Sequence, residues 1–180
     1  IRELYGVDAS RYEEDAAKKL YIRRIYDMIP SQMENKKKRI VAKDILDCKG
    51  DRFSNYVEEF EYLINSGITI ASNAISNPKY PLAESQQKNL LKLYMNDVGM
   101  LSSQLYHYNI QPILNDIASI NLGSVYESAV AQELKAHYEK LFYYDNKQKG
   151  KVDFLVADSG TMSVLPIEVK SGKDYTVHSA

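Results

Sequence analysis

The chain of 180 residues has no tryptophan, one cysteine and three histidines. Cys48 on its own excludes an intramolecular disulfide, and such cysteine usage is typical of a reducing compartment, so we expect a cytoplasmic protein. His107, His137 and His178 lie far apart in the sequence and fit no zinc-binding spacing. No apolar run approaches the roughly 20 residues that a membrane-spanning helix needs, so we expect no membrane partner.

The overall charge is also small. The net charge is −1, with 44% hydrophobic and 26% charged residues, a composition typical of globular proteins. Any nucleic-acid binding would therefore depend on local basic patches rather than on a global field. The sequence does not begin with Met and stops shortly after a predicted strand, so we expect a fragment of a longer protein.

The first half of the chain is predicted to be mainly helical. A helix over 10–30 would begin with Ser10 and Glu13 at the spacing of a capping box. We expect it to end at Pro30, because proline interrupts helical hydrogen bonding. A shorter helix would follow and carry the basic run "NKKKR" near its end.

The next elements have the order of a winged helix. A short helix over 41–48 and a tight turn precede a longer helix over 51–67, and two strands follow, over 68–75 and 90–97. We therefore expect a helical and winged-helix region at 1–97.

The winged-helix order suggests DNA binding. The helix Asp51–Asn65 would be the recognition helix, but its Glu58, Glu59 and Glu61 would repel a phosphate backbone. The alternative is a structural helical linker with a solvated basic patch. The residues expected to contact phosphates are Lys36, Lys37, Lys38, Arg39, Lys43 and Arg52.

A second unit, an α/β domain, is predicted at 98–180. It would open with a helix over 97–109, capped by Asp97, and continue with a long helix over 116–141 that enters a sheet at 142–146.

Glu127 falls on the apolar face of that long helix. A carboxylate there costs several kcal/mol unless it is paired, hydrogen-bonded or bound to a metal. Two alternatives therefore remain for Glu127. It is either a residue of a metal site or a buried glutamate that is bonded to Tyr or Lys. The residues of the expected apolar face are Tyr126, Val130, Ala131, Leu134, Tyr138 and Leu141.

Charged residues also interrupt two apolar strands near the end of the sequence. Asp153 lies in the strand "KVDFLVA", and Glu168 and Lys170 lie on one face of the strand "VLPIEVKS". If Ser159 and Gly160 form a two-residue hairpin loop, Asp158 pairs with Thr161 and Asp153 with Pro166.

In that register, Asp153 and Glu168 become diagonal neighbours on one face, about 7–8 Å apart at Cα. A slip by one residue would put Asp153 on the other face. Two carboxylates and a lysine on one face suit a Mg²⁺-dependent phosphodiesterase, in which Mg²⁺ takes oxygen ligands and activates a water. Lys170 would orient that water or neutralise charge. The alternative is a surface ion pair of little energetic value.

The order of Glu127 in a helix, Asp153 in a strand and "IEVK" in the next strand resembles the PD-(D/E)XK nucleases, including archaeal Holliday-junction resolvases and restriction endonucleases. The resemblance implies that Asp153 and Glu168 bind Mg²⁺, that Lys170 is the catalytic lysine, and that Glu127 is an accessory ligand. Val152 stands where the name-giving proline would be.

A closer resemblance spans nearly the whole chain. The segments "IPSQMENKKKRI", "PLAESQQKNLLKLYMNDVGML", "GSVYESAVAQEL" and "LPIEVKSG" look like the C-terminal half of a group of prokaryotic AAA+ ATPases. In that group a P-loop ATPase precedes a winged helix and a nuclease-like domain.

This resemblance implies an α/β (α+β) chain. A helical winged-helix region is followed by a restriction-endonuclease-like mixed sheet with flanking helices, truncated at its C-terminus. It also implies DNA and the ATPase domain of the same polypeptide as partners, and a homo-oligomeric ring in the full-length protein. No GxxxxGK[ST] loop occurs in the sequence, so ATP would bind only to the full-length protein. The nuclease-like domain would either cleave DNA or act as an inactive DNA- or protein-binding module.

Overall fold

A computed structural model describes residues 7–8, 10–35, 38–106, 111, 115 and 122–170. The helices that lie wholly within these residues are α1 (Ala16–Glu34), α2 (Val57–Asn65), α3 (Val98–Leu105) and α4 (Gly123–His137). The strands are β1 (Thr69–Ile75), β2 (Gln86–Met95), β3 (Leu141–Asn146), β4 (Gly150–Asp158) and β5 (Ser163–Ile167). The expected combination of helices with a mixed sheet is confirmed. Among the described helices, none has the length and apolar character to cross a membrane.

The five strands form one sheet in the order β2-β1-β3-β4-β5. β1 and β3 are parallel, and the other neighbouring pairs are antiparallel. The two strands expected in a wing, β1 and β2, therefore belong to the same sheet as the strands of the expected nuclease-like domain. The boundary predicted at residue 97 does not interrupt this sheet, because residues Ser72–Ile75 pair in register with Leu141–Tyr144.

One hydrophobic cluster also joins the two halves of the chain. Ile25 and Ile29 of α1 and Phe60 of α2 belong to the same buried cluster as Leu141 of β3 and Phe154 of β4. Burial of apolar surface is the main driving force of folding, so we expect the described parts of the two halves to unfold together.

The start and the end of α1 both differ from the prediction. The N-cap is Asp15 instead of Ser10, because the Asp15 carboxylate accepts hydrogen bonds from the backbone N–H groups of Ala17 and Lys18. The helix also continues through Pro30 to Glu34. Proline removes one helical hydrogen bond, but the additional turn buries Met33 completely, which favours continuation of the helix.

The β4–β5 hairpin has a wider loop than predicted. Asp158 pairs with Ser163, so four residues, 159–162, form the loop. The Asp158 carboxylate accepts a hydrogen bond of 2.9 Å from Gly160 N–H, and Met162 takes a left-handed φ of 53°. This side-chain-capped loop replaces the two-residue turn and shifts the register by two residues. Pro166 consequently pairs with Leu155 rather than with Asp153.

A bulge in β4 changes the position of Asp153. Phe142 pairs with Leu155 and Tyr144 with Val152, so one residue of β3, Tyr143, lies opposite two residues of β4. Those two residues are Asp153 and Phe154. Bulges of this kind redirect side chains locally and often lie near functional sites.

Candidate functional site

The centre of the site is Glu127 on α4. Its side chain is buried, with a residue exposure of 2%, as the sequence predicted. The predicted helix face is only partly correct, since Tyr126 is 48% exposed and Ser128 is fully buried. The buried Ser128 hydroxyl is satisfied within the helix, because it donates a hydrogen bond to the Ser124 carbonyl at 2.8 Å.

Three side chains bind the Glu127 carboxylate. On β2, the Lys92 ammonium lies 3.0 Å from Oε1 and the Tyr94 hydroxyl donates to the same oxygen at 2.7 Å. Lys92 and Tyr94 are two residues apart in one strand, so both point to the same face of the sheet. The Lys38 ammonium, from the segment after α1, binds Oε2. Burial alone would raise the pKa of Glu127, but Lys92, Lys38 and Tyr94 together hold the pKa below its ordinary value.

Lys38 reaches Glu127 with an unusual backbone conformation. Its φ is 49°, in the left-handed region that residues with a Cβ rarely adopt. Such a conformation persists where the surrounding contacts fix it. The ion pair with Glu127 is a contact that anchors the segment after α1 to α4.

A small cavity of about 70 Å³ lies beside this cluster. β2, β3, β4 and Lys38 form its walls. The charged and hydroxyl-bearing residues that line it are Lys38, Lys92, Tyr143, Tyr144, Asp145, Lys151 and Asp153. Asp145 and Lys151 face each other across the β3–β4 pair as an ion pair at 3.4 Å.

Tyr143 also lines this cavity, and its fully buried hydroxyl interacts with the Arg39 side chain. The residue is only 2% exposed. Burial raises the pKa of Tyr143, and the nearby Arg39 guanidinium opposes that rise. The Lys92 ammonium lies 4.8 Å from the centre of the Tyr143 ring, within the range of a cation–π contact.

Asp153 is half-buried at the bulge in β4, on the edge of the cavity. Its Oδ2 accepts a hydrogen bond of 3.0 Å from Val169 N–H. Burial raises the pKa of Asp153, the Val169 N–H partly offsets this, and the carboxylates of Glu127 and Glu168 raise the pKa further. Asp153 therefore lies within electrostatic reach of both other carboxylates of the predicted site.

Glu168 and Lys170 follow β5 and are exposed. They form an ion pair at 3.0 Å with each other, while Val169 between them packs against the core. The hydrogen bond to Glu168 raises the pKa of Lys170, and the charge of Asp153 adds to this effect. The structure thus brings the other three motif residues near Asp153, but Glu168 and Lys170 bind each other at the surface.

The three carboxylates do not fit a Mg²⁺ ion in this arrangement. Within the described ranges, no group of three or more His, Cys, Asp or Glu side chains is placed to hold a metal ion. Both oxygens of Glu127 are bound by lysines, and an ammonium at the position of a metal ion excludes a second cation by repulsion.

The remaining residues predicted to contact DNA are placed differently from one another. Lys36 and Lys37 lie outside the described residues, whereas Lys43 and Arg52 are exposed. The segment expected as a recognition helix is a short 3₁₀ turn followed by α2, and α2 packs against α1 and β1 through Phe60 and its neighbours.

Sequence reasoning missed Lys92, Tyr94 and Tyr143. Lys92 is a charge within the apolar strand "LLKLYM", which is the same kind of signal that identified Asp153. The two tyrosines gave no such signal, because tyrosine is common in buried strands.

Comparison with known proteins gives one family match. Residues 122–180 match the family described as a domain of unknown function, DUF4143, a family commonly found at the C-terminus of AAA-ATPase proteins. The matched segment contains Glu127, Asp153, Glu168 and Lys170. No curated protein and no solved structure matches the chain.

Proposed function

We propose that this chain is a DNA-binding part of an AAA+ ATPase protein and that its nuclease-like site binds the phosphate backbone without cleaving it. The observation that carries the proposal is the occupation of both Glu127 oxygens by Lys38 and Lys92. A carboxylate neutralised in this way cannot serve as a metal ligand while those lysines remain bound to it.

The charges around the cavity support anion binding. The cations Lys38, Arg39, Lys92 and Lys151 gather beside the carboxylates of Glu127, Asp145 and Asp153. Cations therefore exceed carboxylates by one at this edge of the sheet, in a chain whose net charge is −1. A local excess of this kind is what a protein without a global positive field needs for phosphate contacts.

The ATPase assignment is supported by the family match and by the sequence resemblance described above. Both concern the segment 122–180, and the resemblance extends over the rest of the chain. The P-loop ATPase, its ATP and a ring-shaped homo-oligomer would belong to the full-length protein.

Fluorescence anisotropy with a labelled duplex and with a labelled single strand tests DNA binding. We expect binding with EDTA present and a negative dependence on salt concentration. Replacing Lys43 and Arg52 by Gln should reduce the slope of log K against log salt by about 2, or about 1 for each lost contact. The matched control is the double replacement Lys140→Gln and Lys147→Gln, which removes the same charge from other exposed positions. Absence of DNA binding would contradict the proposal.

A second function is favoured by one observation. Glu127, Glu168 and Lys170 all act electrostatically on Asp153, as they would in the Mg²⁺-dependent endonuclease that the sequence resemblance implies. In that case DNA or metal binding would have to release Glu127 from its lysines.

A cleavage assay with supercoiled plasmid in Mg²⁺, Mn²⁺ or EDTA separates the two functions. We expect no metal-dependent nicking by the chain, with Asp153→Asn behaving identically. Nicking that requires a divalent ion and is lost in Asp153→Asn would overturn the first proposal and establish the second.

A further inference from the structure

The segment of residues 38–40, here called the strap, has a fixed contact on either side. Before it, Glu34 at the end of α1 accepts a hydrogen bond from the Ser124 hydroxyl of α4. At its end, Ile40 is buried, and its backbone N–H donates to the Leu91 carbonyl of β2 at 3.1 Å. The strap therefore runs from the α1 side of the molecule to the edge strand β2, past the N-terminal half of α4.

The two cations of the strap bind groups of the site. The Lys38 ammonium binds Oε2 of Glu127, and the Arg39 side chain interacts with the buried Tyr143 hydroxyl. Both cations belong to the basic run "NKKKR", whose lysines and arginine were expected to contact DNA phosphates. While these contacts persist, neither cation is available to a phosphate.

The two lysines bound to Glu127 differ in how easily they can be released. The side chain of Lys38 is 26% exposed, whereas that of Lys92 is 8% exposed. Lys92 and Tyr94 both bind Oε1, so Glu127 keeps a counter-charge and a hydroxyl partner when Lys38 leaves Oε2. Release of Lys38 thus avoids the costly case of a buried charge without a partner. It would also relax the left-handed backbone of Lys38, whose φ is 49°.

A DNA phosphate is a suitable competitor for these cations. Its anionic oxygens accept the same charge-assisted hydrogen bonds from an ammonium or guanidinium group as a carboxylate does. A ligand that binds only the released form of a segment shifts the segment toward that form. The shift is reciprocal, so closure of the strap must weaken DNA binding by the same factor.

We propose that the strap is an autoinhibitory contact, in which Glu127 and Tyr143 bind its two cations and so keep them from DNA. DNA phosphates bind Lys38 and Arg39 only after both have left the site. The proposal rests on the proposed function, since DNA is the competing ligand. It adds regulation, because the site opposes the DNA binding of the same chain.

Fluorescence anisotropy with a labelled duplex tests the strap. Glu127→Gln removes the charge that holds Lys38, so we expect DNA affinity to rise about fivefold, as for loss of a partly exposed ion pair. Tyr143→Phe removes the partner of Arg39 without changing the charge of the chain, and it should strengthen binding similarly. This second variant also keeps the test decisive if Glu127→Gln lowers the stability too far for measurement.

Two matched controls separate release of the strap from general effects. Glu133→Gln removes the same charge from an exposed position of the same helix, and Tyr126→Phe removes a hydroxyl from an exposed tyrosine. Each should change DNA affinity by less than about twofold. Gains as large as those of the site variants would overturn the strap.

Double variants identify the released cation. Glu127→Gln should give no further gain in a Lys38→Gln background, and Tyr143→Phe should give none in an Arg39→Gln background. Gains that persist in these backgrounds would overturn the strap. DNA binding of equal strength by the unmodified chain and both site variants would overturn the strap alone and leave the proposed function intact. Absence of DNA binding in all of them would contradict the proposed function and the strap together.

Discussion

Glu127 and Asp153 are two carboxylates of one predicted motif, but their surroundings are opposite. Glu127 is the more deeply buried, yet two ammonium groups and a tyrosine hydroxyl keep its pKa low. Asp153 is only half-buried, and its one described hydrogen bond comes from a backbone N–H, so burial and neighbouring carboxylates raise its pKa. The partners of a carboxylate, rather than its depth, decide whether burial favours its charge.

The difference bears first on the structural role of Glu127. Glu127 connects α4, β2 and the segment after α1 through its three partners, so it acts as a junction of the fold. Asp153 has an unsatisfied electrostatic environment of the kind found at binding and catalytic sites.

The largest effect should follow from Glu127→Ala. The substitution leaves Lys92 buried without its counter-charge, and removing one partner of a buried ion pair costs about 3–5 kcal/mol. Urea unfolding at neutral pH should show this loss. The control is Glu133→Ala on the same helix, whose side chain is 77% exposed and pairs with His137. If the two substitutions have equal effects, Glu127 is not a junction of the fold.

A smaller and opposite effect should follow from Asp153→Asn. Because the folded-state pKa of Asp153 is raised, the folded protein loses stability relative to the unfolded chain as pH rises from 3.8 through that pKa. Asparagine removes this loss and still accepts the Val169 hydrogen bond, so we expect a gain of stability at neutral pH, within about 1 kcal/mol.

The pH dependence of the two variants sharpens the contrast. The pKa of Glu127 is lowered, so its stabilising contribution is present above 4.5 and is lost as pH falls through its folded-state pKa. The cost of Glu127→Gln should therefore shrink in acid, whereas the gain from Asp153→Asn should grow as pH rises. Unfolding curves at several pH values give the free energy of unfolding of each variant minus that of the unmodified chain. This difference should fall with rising pH for Glu127→Gln and rise for Asp153→Asn. If it changes in the same direction for both variants, the assignment of environments is contradicted.

Much of this arrangement could be predicted from local pattern. Strand alternation placed Asp153 in β4, and helical spacing placed Glu127 on the buried side of α4. Of the two alternatives that the sequence left open for Glu127, the buried glutamate bonded to Tyr or Lys is confirmed by its contacts with Tyr94, Lys92 and Lys38.

What could not be predicted depends on contacts between distant segments. The parallel pairing of β1 with β3 joins the two expected domains in one sheet, and no local pattern encodes it. The predicted hairpin loop was two residues too short, because the Asp158 side chain caps a longer loop. The bulge at Asp153 arises from pairing with β3, which strand alternation alone does not reveal.

The smallest effect should come from the exposed pair that completes the motif. Glu168 and Lys170 lie on the surface with side chains 45% and 68% exposed, and such pairs contribute at most about 1 kcal/mol because water screens them. Glu168→Gln and Lys170→Met should each change the free energy of unfolding by less than about 0.5 kcal/mol. Urea unfolding of the two single variants and of the double variant gives their coupling. A coupling well above 1 kcal/mol would show that this pair is held as firmly as Glu127 and its lysines, and the contrast between the two ends of the motif would disappear.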